Sequence, residues 1–259
     1  MNSAVSPAPP TPEGSVASAE RAVRENQAWY HTIELAPGVV TPGAVDLRGV
    51  AARMLPEDLS GRRALDVGTF DGFWAFEMER RGAEVVAVDV ETVEAAEWPP
   101  ASRAEMERRA EEWGVDLGRG FAVASELLGS SARRVVRNVY DLEADAIEGL
   151  VDFAFSGAIL LHLRDPVRAL ERIRSVLAPG GELRLMEPLS IPLTLRAPRR
   201  PSAVFRAAES GFGWWLPNLA TLHAWPRAAG FARTERIAFV RPPARRVRQV
   251  YAGLRCAAS

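Results

Sequence analysis

Two strand-like runs, joined by a turn and a helix, contain the residues whose chemistry is easiest to read. The stretch LDVGTFDGFWAFEMERRGAEVVAVDV runs from Leu65 to Val90 and predicts a strand, a turn over residues 68–72, a helix and a second strand ending in Asp89. A carboxylate at the end of that second strand, about twenty positions after the turn, suits both hydroxyls of a ribose. The spacing therefore predicts a nucleoside site.

The turn lacks two of the glycines that a dinucleotide requires. A dinucleotide fingerprint would have glycine at positions 68, 70 and 73, so that a pyrophosphate can approach the backbone and the helix can pack closely. Phe70 and Phe73 occupy the second and third of these positions. A ligand without phosphate needs only a cradle for its other groups, and it tolerates an aromatic residue there. The turn favours such a ligand.

The elements around this turn alternate along the chain. From Arg63 onward, strand-like runs alternate with helical patterns, which predicts parallel strands joined by right-handed crossovers. Near the C-terminus, the runs ARTERIAFV and RVRQVYAGLR are separated only by the short RPPAR loop, so these strands must pair antiparallel. We predict an α/β fold with a doubly wound, Rossmann-like sheet of seven strands, mostly parallel with an antiparallel C-terminal hairpin strand, and helices on both faces.

Composition divides the chain into three predicted regions. Residues 1–16 are rich in Pro, Ala and Ser and predict a disordered tail. Residues 17–60 predict an N-terminal helical lid, and residues 61–259 predict the binding domain, with an insertion at about 92–132. The role of the insertion stays open at this point.

Composition also excludes several classes of function. All 32 basic residues are arginine and the net charge is −1, so there is no lysine for Schiff-base chemistry and no overall surplus of positive charge for nucleic acid. The single cysteine, Cys256, excludes an intramolecular disulfide and a cysteine-cluster zinc site, and we expect no metal. Neither a signal peptide nor a membrane span is indicated. We expect a cytoplasmic protein, monomer or homodimer, without a membrane partner.

An otherwise parallel sheet finished by an antiparallel hairpin resembles the class I methyltransferases that use S-adenosylmethionine (SAM). This resemblance implies SAM as the cofactor and assigns a set of residues to it. The expected roles follow the strand ends: Asp66 for the turn or the cofactor's ammonium; Gly68, Thr69, Phe70 and Gly72 for the cradle; Asp89 and Val90 for the ribose; Asn138 and Val139 for adenine; Ser156 and Gly157 for the methionyl group. For Asp71, a helix N-cap and a ligand contact are both open.

Three further segments narrow the resemblance. The segments WYHTIELAPGVVTPG, GAILLHLRDPVRALERIRSVLAPGGELRLMEP and WWLPNLATLHAWPRAAGF resemble the tRNA wobble-uridine (mo5U34 or carboxymethoxyuridine-type) methyltransferases, over residues 28–232. Enzymes of that family which use a carboxylated SAM meet its extra charge with a lysine, a tyrosine and an arginine. Here lysine is absent, Leu161 stands at the tyrosine's place and Gly211 at the arginine's. Because a buried, unpaired carboxylate is costly, ordinary SAM is favoured.

The candidates for catalysis and acceptor binding surround the same edge of the predicted sheet. His162, His31 and Glu187 are the candidate catalytic residues, with a structural histidine and a backbone acceptor as the alternatives for His162 and Glu187. The candidate substrate-binding residues are aromatic or apolar: Trp29, Tyr30, Leu161, Phe205, Trp214 and Trp215.

We predict a methyltransferase that transfers the methyl group of SAM to a small-molecule acceptor, such as a natural product or another aromatic or apolar metabolite. The alternatives are a tRNA wobble-uridine methyltransferase and a SAM-binding fold with a non-methylating role, since a fold does not fix a function.

Overall fold

A seven-stranded sheet lies at the centre of the fold. The computed structural model describes residues 12–26, 28–113, 117–207, 212–244 and 249–258. The strands of this part of the chain are β1 (Glu34–Ala36), β2 (Val39–Val40), β3 (Arg63–Val67), β4 (Glu84–Asp89), β5 (Arg133–Val136), β6 (Val151–Gly157), β7 (Leu177–Pro188), β8 (Ala203–Phe205), β9 (Trp215–Pro217), β10 (Arg233–Val240) and β11 (Tyr251–Ala257).

Helices flank the sheet. The α-helices of the described residues are α1 (Pro12–Glu25), α2 (Arg48–Met54), α3 (Phe73–Glu79), α4 (Pro100–Trp113), α5 (Arg119–Leu128), α6 (Pro166–Ser175), α7 (Ile191–Arg196) and α8 (Leu219–Ala228). Short 3-10 helices occupy Val139–Asp141, Asp145–Ile147 and Leu160–His162. None of the helices in these ranges is long and apolar enough to span a bilayer.

The strand order is β10-β11-β7-β6-β3-β4-β5. The pairs from β5 through β7 are parallel, and β11 runs antiparallel to both β7 and β10. The predicted fold class is therefore confirmed, including the antiparallel strand near the C-terminus.

Alternation along the central strands explains why helices cover both faces. In β4, Val85 and Ala87 pack into the core on one side of the sheet, together with residues of α2, α3 and α5. Val86 and Val88 pack into the core on the other side, together with residues of α6 and α8. Successive strand residues point to opposite faces, so a run that is apolar at every position must be buried on both.

Three boundaries differ from the prediction. Helix α1 begins at Pro12, so residues 12–16 of the predicted tail are helical, and residues 1–11 lie outside the described part. The strand-like run RVVRNVYDL predicts a strand through Leu142, but β5 ends at Val136, because the Asn138 side chain accepts a hydrogen bond from the Tyr140 amide and caps a 3-10 helix. The last strand begins at Tyr251, and residues 246–248 of the predicted run lie outside the described part.

Residues 29–46 form a folded arm rather than a helix. Strands β1 and β2 pair within it, and the Thr41 hydroxyl donates to the His31 carbonyl at 2.7 Å while accepting from the Ile33 amide at 2.8 Å. Gly43 lies directly against this backbone, where a Cβ atom would be 2.2 Å from the His31 carbonyl carbon. The arm therefore depends on a glycine at position 43 for close packing.

Replacing Gly43 by Ala should destabilise the protein by about 1–3 kcal/mol, because the added methyl group meets backbone that cannot rotate away. The matched control is Gly49→Ala in α2, where a Cβ atom meets nothing within 4 Å. Alanine is the better helix former, so this control should leave stability unchanged or raise it slightly. Thermal unfolding of both variants measures the difference, and equal midpoints would contradict the tight packing of the arm.

Candidate cofactor and acceptor site

The parallel strands bring the predicted site residues to one edge of the sheet. Val67 of β3 lies in register with Val88 of β4 and Ser156 of β6, and Gly157 lies in register with Met186 of β7. Residues that follow the carboxyl ends of these strands must therefore face a common space.

The turn after β3 adopts the left-handed backbone at three positions. Gly68 and Gly72 have φ values of +76° and +92°, and Phe70, with φ +50°, is a non-glycine residue in this region. At Gly68 a Cβ atom would lie 1.9 Å from Cδ1 of Ile159, so only glycine fits there. The Phe70 ring packs on Tyr30, with 5.5 Å between ring centroids. The aromatic residue that breaks the dinucleotide fingerprint thus contacts the arm.

Asp89 joins the turn to the end of β4. Its Oδ2 accepts a hydrogen bond from the Phe70 amide at 2.7 Å, and its Oδ1 accepts from the Val90 amide at 2.8 Å. Burial raises the pKa of Asp89, although the two amides lower it. Each carboxylate oxygen has a second lone pair, so Asp89 can still accept from a ribose.

Buried polar atoms without partners cluster at the ends of β3 and β6. Among the described residues, neither oxygen of Asp66 has a hydrogen-bond partner, nor do the hydroxyls of Thr69 and Ser156, and all three residues are at most 1% exposed. Burial raises the pKa of Asp66 to about 7, while the nearby Thr69 side chain and His31 lower it. Unpaired buried polar atoms are costly. These atoms therefore fit a polar ligand, and the ammonium and carboxylate of SAM match the acid and the two hydroxyls.

In the segment after β5, Asn138 is the N-cap of a 3-10 helix. Asn138 Oδ1 accepts from the Tyr140 amide at 3.0 Å, and Val139 is buried beneath it. Arg134, which the sequence analysis did not single out, donates to the carbonyls of Val90 at 2.8 Å and Leu117 at 2.6 Å. The insertion is thereby tied to the end of β4, beside the predicted adenine contacts.

Of the two roles considered for Asp71, the structure excludes the helix N-cap. The N-cap position of α3 belongs to Gly72, and the Asp71 carboxylate turns instead to the arm. Its Oδ2 accepts from the amides of Tyr30 at 2.9 Å and His31 at 2.8 Å, and its Oδ1 is paired with His31 Nδ1. Asp71 is 1% exposed and His31 6% exposed. The contact is a buried clamp that holds the arm on the turn.

A small cavity lies between the arm and the sheet edge. Its volume is about 20 Å³, close to the room that one water needs. The residues that line it are Tyr30, His31, Val45, Leu47, Trp74, Gly157, Ala158, Met186, Pro242 and Tyr251. Tyr251 is a residue that the sequence analysis missed. It opens β11 opposite Pro188 at the end of β7, so the antiparallel pairing alone carries it to this edge.

Glu187 takes the backbone-acceptor role that was one of its two interpretations. Its Oε1 accepts from the amides of Ile159 at 2.9 Å and Leu160 at 3.0 Å. Burial raises the pKa of Glu187 to about 8, although these amides lower it. The side chain therefore fixes the loop after β6. Ile159 belongs to this loop, and its side chain lies against Gly68.

His162 lies beneath a strap formed by residues 93–98. The edge of its ring meets Trp98, with 5.6 Å between centroids, and Nδ1 donates to the Phe212 carbonyl. Burial lowers the pKa of His162, although the Phe212 carbonyl raises it. The strap is fastened by Glu97, whose Oε2 accepts from the Tyr140 hydroxyl at 2.8 Å and the Arg164 amide at 2.7 Å.

The two adjacent tryptophans are engaged in structural hydrogen bonds. The Trp214 indole donates to the Glu97 carbonyl at 2.5 Å, and its amide donates to the Leu161 carbonyl at 2.6 Å. The Trp215 indole donates to the Arg164 carbonyl at 3.1 Å, and Phe205 packs on its ring at 5.2 Å.

Of the candidate substrate-binding residues, Tyr30 alone lines the cavity. Trp29 is 5% exposed and belongs to the core with residues of α5, so the structure buries it rather than presenting it at the cavity. Phe205 is 53% exposed and its ring packs on Trp215. Gly211, at the arginine's place in the resemblance, lies outside the described residues.

Within the described ranges, no three His, Cys, Asp or Glu side chains are grouped to hold a metal.

Residues 44–235 match the family model described as a methyltransferase domain. The chain belongs to this family. The predictions of a SAM-dependent methyltransferase and of SAM as its cofactor are confirmed at that level, which argues against the non-methylating alternative.

Curated relatives share part of this methyltransferase's sequence. The tRNA U34 carboxymethyltransferase of Idiomarina loihiensis is 27% identical over 181 residues, which are 68% of this chain and 47% of that protein. The protein of the same name from Pseudomonas aeruginosa is 31% identical over 176 residues, 68% of this chain and 46% of that protein. The chain spans about half the length of these relatives.

Solved structures share the fold. The N-terminal domain of EvdMO1, in the presence of S-adenosylhomocysteine and D-fucose, has a TM-score of 0.58 at 16% identity, over 94% of this chain and 97% of that one. The 1,6-didemethyltoxoflavin-N1-methyltransferase of Burkholderia thailandensis, with bound 1,6-didemethyltoxoflavin and S-adenosylhomocysteine, has a TM-score of 0.51 at 18% identity, over 98% and 93%. At these identities the likeness establishes the methyltransferase fold.

The raised pKa of Asp66 predicts how stability changes with pH when no ligand is present. The ordinary pKa of an aspartate is about 4, and burial raises that of Asp66 to about 7 in the folded protein. Its protonated form therefore contributes stability that is present below pH ~4 and is lost as pH rises to ~7. The free energy of unfolding should therefore fall as pH rises through this window. Replacing Asp66 by Asn should reduce the slope of that fall by up to about 1.4 kcal/mol per pH unit.

Urea unfolding from pH 4.5 to 7.5 measures this slope, with the exposed Asp145→Asn variant as the control. A D66N slope equal to that of the wild type would contradict the burial of an unpaired carboxyl group at this position.

Proposed function

We propose that the protein methylates a small-molecule acceptor with an aromatic or apolar body. SAM, when bound, supplies an electrophilic methyl group on a positively charged sulfur. The protein's task is to hold the cofactor and the acceptor in line within a dry pocket.

The cofactor residues that we propose follow the strand ends. Asp66 pairs with the ammonium, and the hydroxyls of Thr69 and Ser156 bind the carboxylate of the methionyl group. Asp89 accepts from the ribose hydroxyls, and the Asn138–Val139 segment borders adenine. The support is that Asp66, Thr69 and Ser156 carry buried polar atoms without a partner among the described residues, while the Asp89 oxygens have lone pairs left.

The observation that carries the acceptor class is the lining of the cavity. Its ten residues include two tyrosines and one histidine, and none is an arginine or an acid. A cofactor or acceptor with an extra carboxylate would be buried there without a positive partner, and such burial costs several kcal/mol. Aromatic and apolar walls with a few polar atoms suit a small, uncharged acceptor, for which this space of about 20 Å³ must widen.

The second candidate, methylation or carboxymethylation of a tRNA wobble uridine, is favoured by the sequence identity to the tRNA U34 carboxymethyltransferases. Phe205 and Phe212 are 53% and 41% exposed and could stack on a base. Against this candidate, Leu161 carries no hydroxyl at the place where the enzymes that use a carboxylated SAM have a tyrosine. The Leu161 carbonyl, in turn, accepts a hydrogen bond from the Trp214 amide. We therefore rank the small-molecule acceptor first.

Methyl-labelled SAM, presented with phenols, aromatic amines and aromatic acids and separately with bulk tRNA, distinguishes the two acceptors. We expect label in a small molecule and none in tRNA. Labelled tRNA without any labelled small molecule would reverse the ranking.

The same preparation tests the cofactor by calorimetric titration. The described cavity offers no partner for an added carboxylate, so SAM should bind at least about tenfold more tightly than carboxy-SAM. Tighter binding of carboxy-SAM would contradict the assignment of ordinary SAM.

A further inference from the structure

We propose that Asp71 and His31 form a base dyad, in which His31 removes the proton of the acceptor and Asp71 positions it. The inference rests on the proposed function and deepens it, because it narrows the acceptor to a small molecule that reacts through a hydroxyl or a protonated nitrogen.

The hydrogen bonds of Asp71 fix the state of the imidazole. Both carboxylate oxygens act as acceptors, Oδ2 for two backbone amides and Oδ1 for the His31 ring. Nδ1 of His31 must therefore carry a proton and donate it. In the neutral imidazole the proton is then absent from Nε2, whose lone pair is available as a base.

The ring is also held in place by its neighbours. The Tyr30 ring meets it edge-on at 4.8 Å between centroids, and Phe73 lies at 5.7 Å on another side. The amides of Tyr30 and His31 are bound by the same carboxylate, so the backbone and the ring share one anchor. A base with this little freedom loses little entropy when the acceptor arrives.

His31 is the histidine that borders the cavity. Gly157 and Met186 line the sheet side of this cavity, where the methionyl group is proposed to lie, and His31 and Tyr251 line it from other elements. Glu187 has its Oε1 bound to two amides, and His162 lies beneath Trp98. Of the three candidate catalytic residues, His31 thus has the position that a base requires.

The charged and titratable groups around His31 come from three elements. Asp71 follows β3, Asp66 lies on β3 and is close enough for His31 to lower its pKa, and Tyr30 precedes His31 in the arm. Tyr251 of β11 lines the same cavity, and burial raises its pKa. Two acids and two phenols therefore lie around His31.

In the proposed step, each bond that forms is matched by one that breaks. The acceptor oxygen or nitrogen forms a bond to the methyl carbon while the carbon–sulfur bond breaks, and the electron pair of that bond stays on sulfur. The acceptor's proton passes to Nε2 of His31, and the resulting positive charge is balanced by Asp71. A base is needed only when the acceptor is protonated and weakly acidic, so thiolates and carboxylates are poorer matches for this site.

Two variants and one control test the dyad. His31→Gln removes the base. Asp71→Asn keeps an oxygen for the backbone amides but cannot hold the imidazole as a carboxylate does. His223→Gln is the control, since His223 lies in α8 and is hydrogen-bonded to Thr234 at 2.9 Å.

The assay is methyl transfer from labelled SAM to whichever acceptor takes the label, with SAM affinity measured in parallel. We expect H31Q to lower kcat by about 10²–10⁴-fold and to lose the acidic limb of the pH profile, with SAM affinity within about threefold of wild type. D71N should lower kcat by about tenfold or more with SAM affinity within about threefold of wild type, and its melting temperature should fall because the buried clamp loses a charge-assisted hydrogen bond. H223Q should behave as wild type.

Turnover of H31Q within about threefold of wild type, or an unchanged acidic limb, would overturn the dyad. Equal losses of kcat, SAM affinity and melting temperature in both variants would assign His31 and Asp71 to the structure of the arm alone. If tRNA proves to be the acceptor, the proposed function fails while the same variants still decide the dyad.

Nitrogen-15 NMR of the His31 ring, in the complex with S-adenosylhomocysteine, needs no acceptor. We expect the proton on Nδ1 at pH 8 in the wild type and a change of tautomer in D71N. A wild-type ring with its proton on Nε2 would overturn the dyad, because that nitrogen could then accept no proton.

Discussion

The carboxylate of Asp71 is the contact on which the site depends. It lies in the glycine turn after β3 and accepts two amides and a ring nitrogen from the arm, at a depth where 1% of the residue is exposed. A buried carboxylate needs such partners, and Tyr30 and His31 of the arm supply them. One side chain thus brings together the arm and the turn that is proposed to cradle the cofactor.

The opposite border of the site is held by the same physical means. Glu187, at the end of β7, uses its buried carboxyl group to bind the amides of the loop after β6. Glu97 uses its side chain and carbonyl to fasten the strap to Tyr140, Arg164 and Trp214. Three acids therefore hold three segments that lie outside the seven-stranded sheet. Asp66 differs, since its oxygens have no partner among the described residues, and this contrast is what suggests a ligand's ammonium there.

Local pattern was sufficient to predict the fold and to bring the candidate site residues to one edge of the sheet. Strand ends, the turn and Asp89 follow from alternation and from glycine positions within a few dozen residues. The arm clamp was not predictable in this way, because Asp71 and Tyr30 are separated by 41 positions and the sequence gives no sign of their pairing. The Trp214 contact to Glu97 spans 117 positions, so the local pattern could not show that this side chain is bound to the strap. Tyr251 was missed for the same reason, since the register of β11 against β7 decides its place.

The central claim is that the methyl group faces the cavity between the arm and the sheet. A crystal structure of the complex with S-adenosylhomocysteine tests it most directly. The account predicts the amino group within hydrogen-bonding distance of Asp66, the ribose hydroxyls at Asp89, and the sulfur atom facing the space that His31 and Tyr251 line. A sulfur atom directed instead toward His162 and Trp98 would contradict it, and the clamp of Asp71 would then serve the fold alone.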